Sequence, residues 1–157
     1  MIKTNVMRIL DQNEIEYETF EYPHEDNVCV DGQEVARLLH QNPKEVFKTL
    51  VAIGKSGRFY TFVIPVEAEL DLKKAARAVE EKTVELIPVK DLQKVTGYIR
   101  GGCSPIGMKK QFLTMIDQSA LTNSYIFFSA GKIGCQVRVN PLDIQKAISV
   151  KFLDLVR

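Results

Sequence analysis

The chain has no tryptophan, only three cysteines and six prolines in 157 residues, and its charges nearly cancel, with 21 basic side chains against 20 acidic. The few cysteines and the balanced charge each exclude something. Cys29, Cys103 and Cys135 are odd in number, far apart and free of CxxC or Cys/His spacing, which argues against a disulfide framework or a zinc knuckle and for a reducing cytoplasm. A formal net charge of +1 is small for a protein that grips nucleic acid unaided, because that grip comes from neutralising phosphates and releasing counterions. Any RNA contact is expected to be weak, local or assisted. No run of about 18 apolar residues occurs and the first 20 residues contain no uninterrupted apolar stretch, so neither membrane insertion nor secretion is expected. HExxH, an Asp-x-Asp cluster and a GxxxxGK[ST] loop are missing too, so a site without metal or cofactor is expected.

With 45% hydrophobic residues the chain can bury a core, and no linker or repeat interrupts it, so residues 1–157 are expected to form one domain. Thr4 caps an amphipathic helix carrying Val6, Ile9 and Leu10 and ending at Asn13, and Ile15 to Tyr22 alternates as a strand. After a polar loop from Pro23 to Val30, Asp31 with Glu34 opens a helix that stops at Asn42-Pro43. Val46 to Ile53 and Phe59 to Val66 flank Gly54-Lys55-Ser56-Gly57 and predict a central hairpin. Asp71 starts a helix with Leu72, Ala75, Ala76 and Val79 inward; a short strand (Val84 to Ile87), a short helix (Pro88 to Val95) and a glycine-rich connection (Tyr98 to Gly107) follow. Phe112 to Ile116, Tyr125 to Phe128 and Cys135 to Val139 read as strands, and Asn140-Pro141 opens a last helix through Ile148. The pattern predicts a mixed α/β or α+β domain.

Few residues suit catalysis by themselves. Ser104 lies in Gly102-Cys103-Ser104-Pro105, which lacks the GxSxG elbow, and Pro105 removes a backbone N–H where that elbow has an oxyanion donor. Cys103 needs a base to become a thiolate, and His24 and His40 are far apart in sequence, each matching an ordinary surface histidine. Lys48 differs, because it interrupts the apolar run Val46-Phe47-Lys48-Thr49-Leu50-Val51 in a predicted central strand. A charge there is either partnered at a site or snorkels to solvent, and spacing alone leaves both open.

Val46-Phe47-Lys48-Thr49-Leu50, then Leu70-Asp71-Leu72-Lys73-Lys74, Thr96-Gly97-Tyr98 and Gly101-Gly102-Cys103-Ser104-Pro105-Ile106-Gly107, in that order, resemble the YbaK/EbsC family, and the similarity covers nearly the whole chain. The family is related to the editing domain inserted in some prolyl-tRNA synthetases. The resemblance implies a central mixed, partly barrel-like sheet surrounded by helices, and a trans-editing deacylase that removes cysteine from Cys-tRNA(Pro). By the same resemblance Lys48 is the essential lysine. Tyr22, Thr49, Gly101, Gly102, Ser104, Pro105 and Gln136 form the pocket, with Lys73, Lys74, Lys109 and Lys110 available to phosphates. Mischarged tRNA is the implied partner, with prolyl-tRNA synthetase as a meeting place. One position departs: in Gly131-Lys132-Ile133-Gly134-Cys135-Gln136-Val137, Gln136 stands where relatives commonly carry aspartate. Hydrolysis of an alanyl ester by water, as in sister branches, and a binding module without turnover are the alternative readings.

Overall fold

The computed structural model describes residues 2–157. Three helices start where the sequence offers a capping oxygen. Thr4 Oγ1 accepts from Met7 N at 3.3 Å to open α1 (Asn5–Gln12), and Asp31 Oδ2 accepts from Gln33 N at 3.2 Å to open α2 (Gly32–Leu38). Asp71 Oδ1 takes both Lys73 N and Lys74 N to open α3 (Leu72–Ala78). The expected reciprocal capping box at Asp31 is one-sided, since Glu34 turns forward to Arg37. The fourth helix, α4 (Val89–Thr96), follows Pro88 and closes on Gly97 in the left-handed region, φ 86°.

Eight strands form two sheets. In the first, β1 (Tyr17–Glu21), β7 (Cys135–Val139) and β6 (Ile126–Lys132) lie in the order β1-β7-β6, all antiparallel. The second has β2 (Phe47–Gly54), β3 (Phe59–Pro65), β4 (Val84–Leu86), β5 (Leu113–Asp117) and β8 (Val150–Leu153) in the order β4-β2-β3-β5-β8. It is mixed: β3 and β5, and β5 and β8, run parallel. The sheet is not closed, which corrects the barrel-like expectation; among the described residues a single bridge, between Val46 and Phe127, joins the two sheets. The last segment also differs. Pro141–Lys146 makes a 3-10 helix rather than a full α-helix, and the chain then adds β8.

The β2–β3 hairpin is central as expected, and β3 shows why period-two alternation disappears there. Val63 points into the core between the sheets with Phe47, Ile116, Phe128 and Val137, while Phe62 and Ile64 point into a second core under Ala75 and Ala76 of α3. Burying a side chain such as Phe62 contributes about 1.5–3 kcal/mol. Glu81 holds the hairpin turn, accepting from Ser56 N at 3.1 Å, from the Ser56 hydroxyl and from Tyr60 OH at 2.6 Å. Among the described residues, no helix is long and apolar enough to cross a membrane.

Candidate functional site

The start of β2 lies beside the bridge that joins the sheets, and a cleft of about 520 Å³ opens there. Lys48, Thr49, Tyr22, Gly101 and Gln136 all border it. Strand alternation sends Lys48 and Thr49 to opposite faces of β2, so the cleft wraps around this end of the strand. Lys48 is half-buried; its ammonium donates to the Val66 carbonyl at 3.5 Å and has no carboxylate partner among the described residues. Thr49 Oγ1 is buried without a hydrogen-bond partner, an oxygen available to a bound group. A buried polar atom in that state costs free energy until something pairs with it.

Tyr22 sits just past β1, fixed by its N–H to the Gly134 carbonyl at 3.0 Å. Burial pushes its phenol above the usual range, only partly opposed by a backbone hydrogen bond from Gly134. It therefore stays neutral at physiological pH.

The 101–107 loop borders the cleft through Gly101 and Cys103, whereas Gly102, Ser104 and Pro105 lie buried away from the lining. Gly101 has φ 88°, and a Cβ there would stand 3.0 Å from Cys29 Sγ. Gly102 packs on the β6–β7 turn, where a Cβ would be 3.1 Å from Lys132 Cα and Ile133 N. Ser104 turns its hydroxyl to Ile106 N at 3.4 Å, and the Pro105 carbonyl accepts from Gln111 Nε2 at 2.9 Å. Tyr98 OH clamps the Ile106 carbonyl at 2.6 Å. These bonds make the loop a fixed wall.

Cys103 packs with Val51 and Met108, and burial pushes its thiol up to about 12. It is a thiol, not a thiolate, at any working pH. Gln136 is 3% exposed, and its Oε1 accepts from Gln41 Nε2 at 2.5 Å.

Two pocket residues were not singled out by sequence reading. Arg100 borders the cleft and makes no ion pair or hydrogen bond among the described residues, so its guanidinium is free for an anion. Asp31 borders it too, having been read only as a helix cap. Their neighbours in sequence gave no signal: Arg100 precedes a glycine pair, and a capping aspartate looks the same whether or not a cavity adjoins it. Of the lysines expected to meet phosphates, Lys74 is engaged within the chain, to the Val156 carbonyl at 2.6 Å and to Asp154 at 2.9 Å. A larger open groove of about 930 Å³ runs along α1 and β1, and four of its charged side chains are paired, Lys3 with Asp11 and Arg138 with Glu18. In the smaller cleft Lys48, Asp31 and Arg100 have no ion-pair partner among the described residues.

The comparisons agree with this assignment of the fold. Residues 27–147 match the model of the aminoacyl-tRNA editing domain. A protein of Enterococcus faecalis (strain ATCC 700802 / V583), provisionally named Cys-tRNA(Pro)/Cys-tRNA(Cys) deacylase EbsC, is 43% identical over 154 residues, covering 98% of this chain and 93% of that protein. Among solved structures, hypothetical protein APE2540 superposes with a TM-score of 0.86 at 19% identity, over 97% of this chain and 99% of its own. A protein described provisionally as a trans-editing enzyme for prolyl tRNA synthetase superposes with a TM-score of 0.80 at 20% identity, over 98% of each chain. By the extent of the family match and by its 43% identity to EbsC, the chain belongs to the aminoacyl-tRNA editing family, in its YbaK/EbsC group.

Proposed function

We propose that residues 1–157 act as one trans-editing deacylase that removes cysteine from mischarged Cys-tRNA(Pro). The observation that carries this reading is the composition of the cleft. It offers an unpaired ammonium on Lys48, an unpartnered hydroxyl on Thr49 and a free guanidinium on Arg100, with no activated protein nucleophile among them. Such a site suits a reaction whose nucleophile arrives with the substrate.

In that reaction the cysteine thiol attacks its own ester carbonyl. The C–S bond forms, the C–O bond to the terminal ribose breaks, and the thiol proton ends on the released ribose hydroxyl, leaving a cyclic thiolactone. The protein contributes by folding the aminoacyl end into reacting geometry, where intramolecular attack reaches effective molarities of about 10⁵ M or more. Lys48 supplies positive charge for the oxygen that becomes negative on the way, a contribution typically about 10²–10³ in rate for one such donor.

The near-neutral net charge fits a protein that meets tRNA with help, at or near prolyl-tRNA synthetase, with Arg100 reaching the phosphates next to the acylated end. Among the described residues the three cysteines form no disulfide, which fits the reducing cytoplasm. Purified chain incubated with Cys-tRNA(Pro) and Pro-tRNA(Pro) tests the reading: the cysteinyl ester is expected to be cleared and the prolyl ester to persist. Persistence of both overturns it.

A further inference from the structure

Among the described residues that border the cleft, Asp31 is the one carboxylate and Lys48 the one lysine. They do not neutralise each other. Among the described residues Asp31 has no ion-pair partner, and its only hydrogen bond is the cap from Gln33 N to Oδ2. What keeps both charges on one cavity is Val66. Gly32, next to Asp31, lies so close that a Cβ would stand 2.5 Å from Val66 Cγ1, and the Val66 carbonyl is the acceptor for Lys48 Nζ. A carboxylate and an ammonium thus flank the same residue, each with unused bonding capacity.

An aminoacyl ester carries an α-ammonium, which can only donate hydrogen bonds. Gln136 is a poor partner for it. Its Oε1 already accepts from Gln41 Nε2, so it keeps one lone pair and no formal charge for an ammonium, and its remaining polar groups are N–H donors. Reversing both amides would free that oxygen but place the two donors of Gln41 where its Oε1 now lies buried and unpartnered. Orphaning an NH₂ group costs more than orphaning one carbonyl oxygen, so the observed orientation is the stable one.

We propose that Asp31 holds the α-ammonium of the aminoacyl group, supplying from the start of α2 the negative charge that Gln136 on β7 lacks. This rests on the cleft being the aminoacyl site. Asp31 is a specificity determinant for a free amine, and Lys48 takes the oxygen end of the same ligand.

The test uses a stable mimic, 3′-cysteinylamino-3′-deoxyadenosine, and its N-acetyl form, with binding followed by calorimetry. Asp31→Asn keeps the helix cap, since asparagine caps as well as aspartate. The variant is expected to bind the free-amine mimic about tenfold more weakly than the parent chain, the lower end of the range for a charge-assisted bond because the Asp31 side chain is exposed at the rim of the cleft. On the N-acetyl mimic, which has no ammonium, the two proteins are expected to converge, and adding Gln136→Asp to the variant should restore preference for the free amine. Equal weakening on both mimics means that Asp31 only shapes the cleft and overturns the assignment. So does unchanged binding of the free amine by the variant, or no binding of it by the parent chain. A parent chain that binds the mimic but leaves Cys-tRNA(Pro) intact removes the deacylase reading while the affinity ratio still judges Asp31.

Discussion

Lys48 Nζ lies 3.5 Å from the carbonyl oxygen of Val66, a long bond to a neutral group, and this is its only polar partner among the described residues. An ammonium held so loosely on a half-buried strand is oriented without being neutralised. Replacing it removes charge from the cleft and little from the core. Lys48→Ala is expected to lower deacylation of Cys-tRNA(Pro) by about 100-fold or more while the thermal midpoint stays close to that of the parent. Turnover within a few-fold of the parent, with the fold intact, takes Lys48 out of the site.

The cysteines of the protein are expected to be dispensable for chemistry. Burial holds the Cys103 thiol at about 12 and pushes Cys135 up as well, against the opposing pull of Lys132. A chain carrying Cys29→Ser, Cys103→Ala and Cys135→Ala should retain deacylation, and the parent's rate should show no inflection from the Cys103 thiol below about pH 12. Loss of activity in the Cys103→Ala single variant, without loss of fold, makes that thiol a participant.

Glu81 gives a stability prediction with a definite sign. Hydrogen bonds from Ser56 and then Tyr60 hold its carboxyl below the usual range. A folded value below the unfolded one means that the stabilisation is present above the unfolded value and is lost as pH falls through the folded one. Glu81→Gln should therefore melt below the parent at neutral pH, and the two melting curves should draw together under acid. A gap that is constant with pH assigns the effect to packing on Gly54 instead.

Gly102 packs against the turn between β6 and β7. Its missing Cβ would press on the backbone of Lys132 and Ile133 at 3.1 Å, atoms that cannot rotate away. Gly102→Ala is expected to cost about 1–3 kcal/mol, read from denaturant midpoints, with affinity for an aminoacyl mimic reduced less than stability. An alanine variant of full stability that no longer binds the mimic returns Gly102 to the ligand side.

Much of this arrangement was legible in the sequence because it depends on local chemistry. Capping oxygens at Thr4, Asp31 and Asp71 mark helix starts, and the β-branched runs around Gly54-Lys55-Ser56-Gly57 mark the hairpin. The parts that were not legible depend on contacts between distant segments. β8 pairs in parallel with β5 across more than 30 residues, and nothing in Val150-Lys151-Phe152-Leu153 distinguishes it from the end of a helix. Closure of the sheet is likewise a matter of strand partners, not of strand sequences. At the candidate site, the motif containing Lys48 and Thr49 lies on the cleft, but Gln41 meets Gln136 from 95 residues away, and that contact takes up one lone pair of the Gln136 oxygen. Ser104 and Pro105 carry the motif yet face inward, because a loop needs residues that hold its own shape as well as residues that face a ligand.

The central claim is that the cleft supplies geometry and charge while the substrate supplies the nucleophile. It is tested most directly by comparing single-turnover deacylation of proline's tRNA charged with cysteine, serine and alanine. Serine differs from cysteine by one atom and should enter the same cleft, but its hydroxyl is a weaker nucleophile, and alanine has none. The account predicts rapid loss of the cysteinyl ester and far slower loss of the other two. Equal rates for the three would mean that water attacks, and would contradict it.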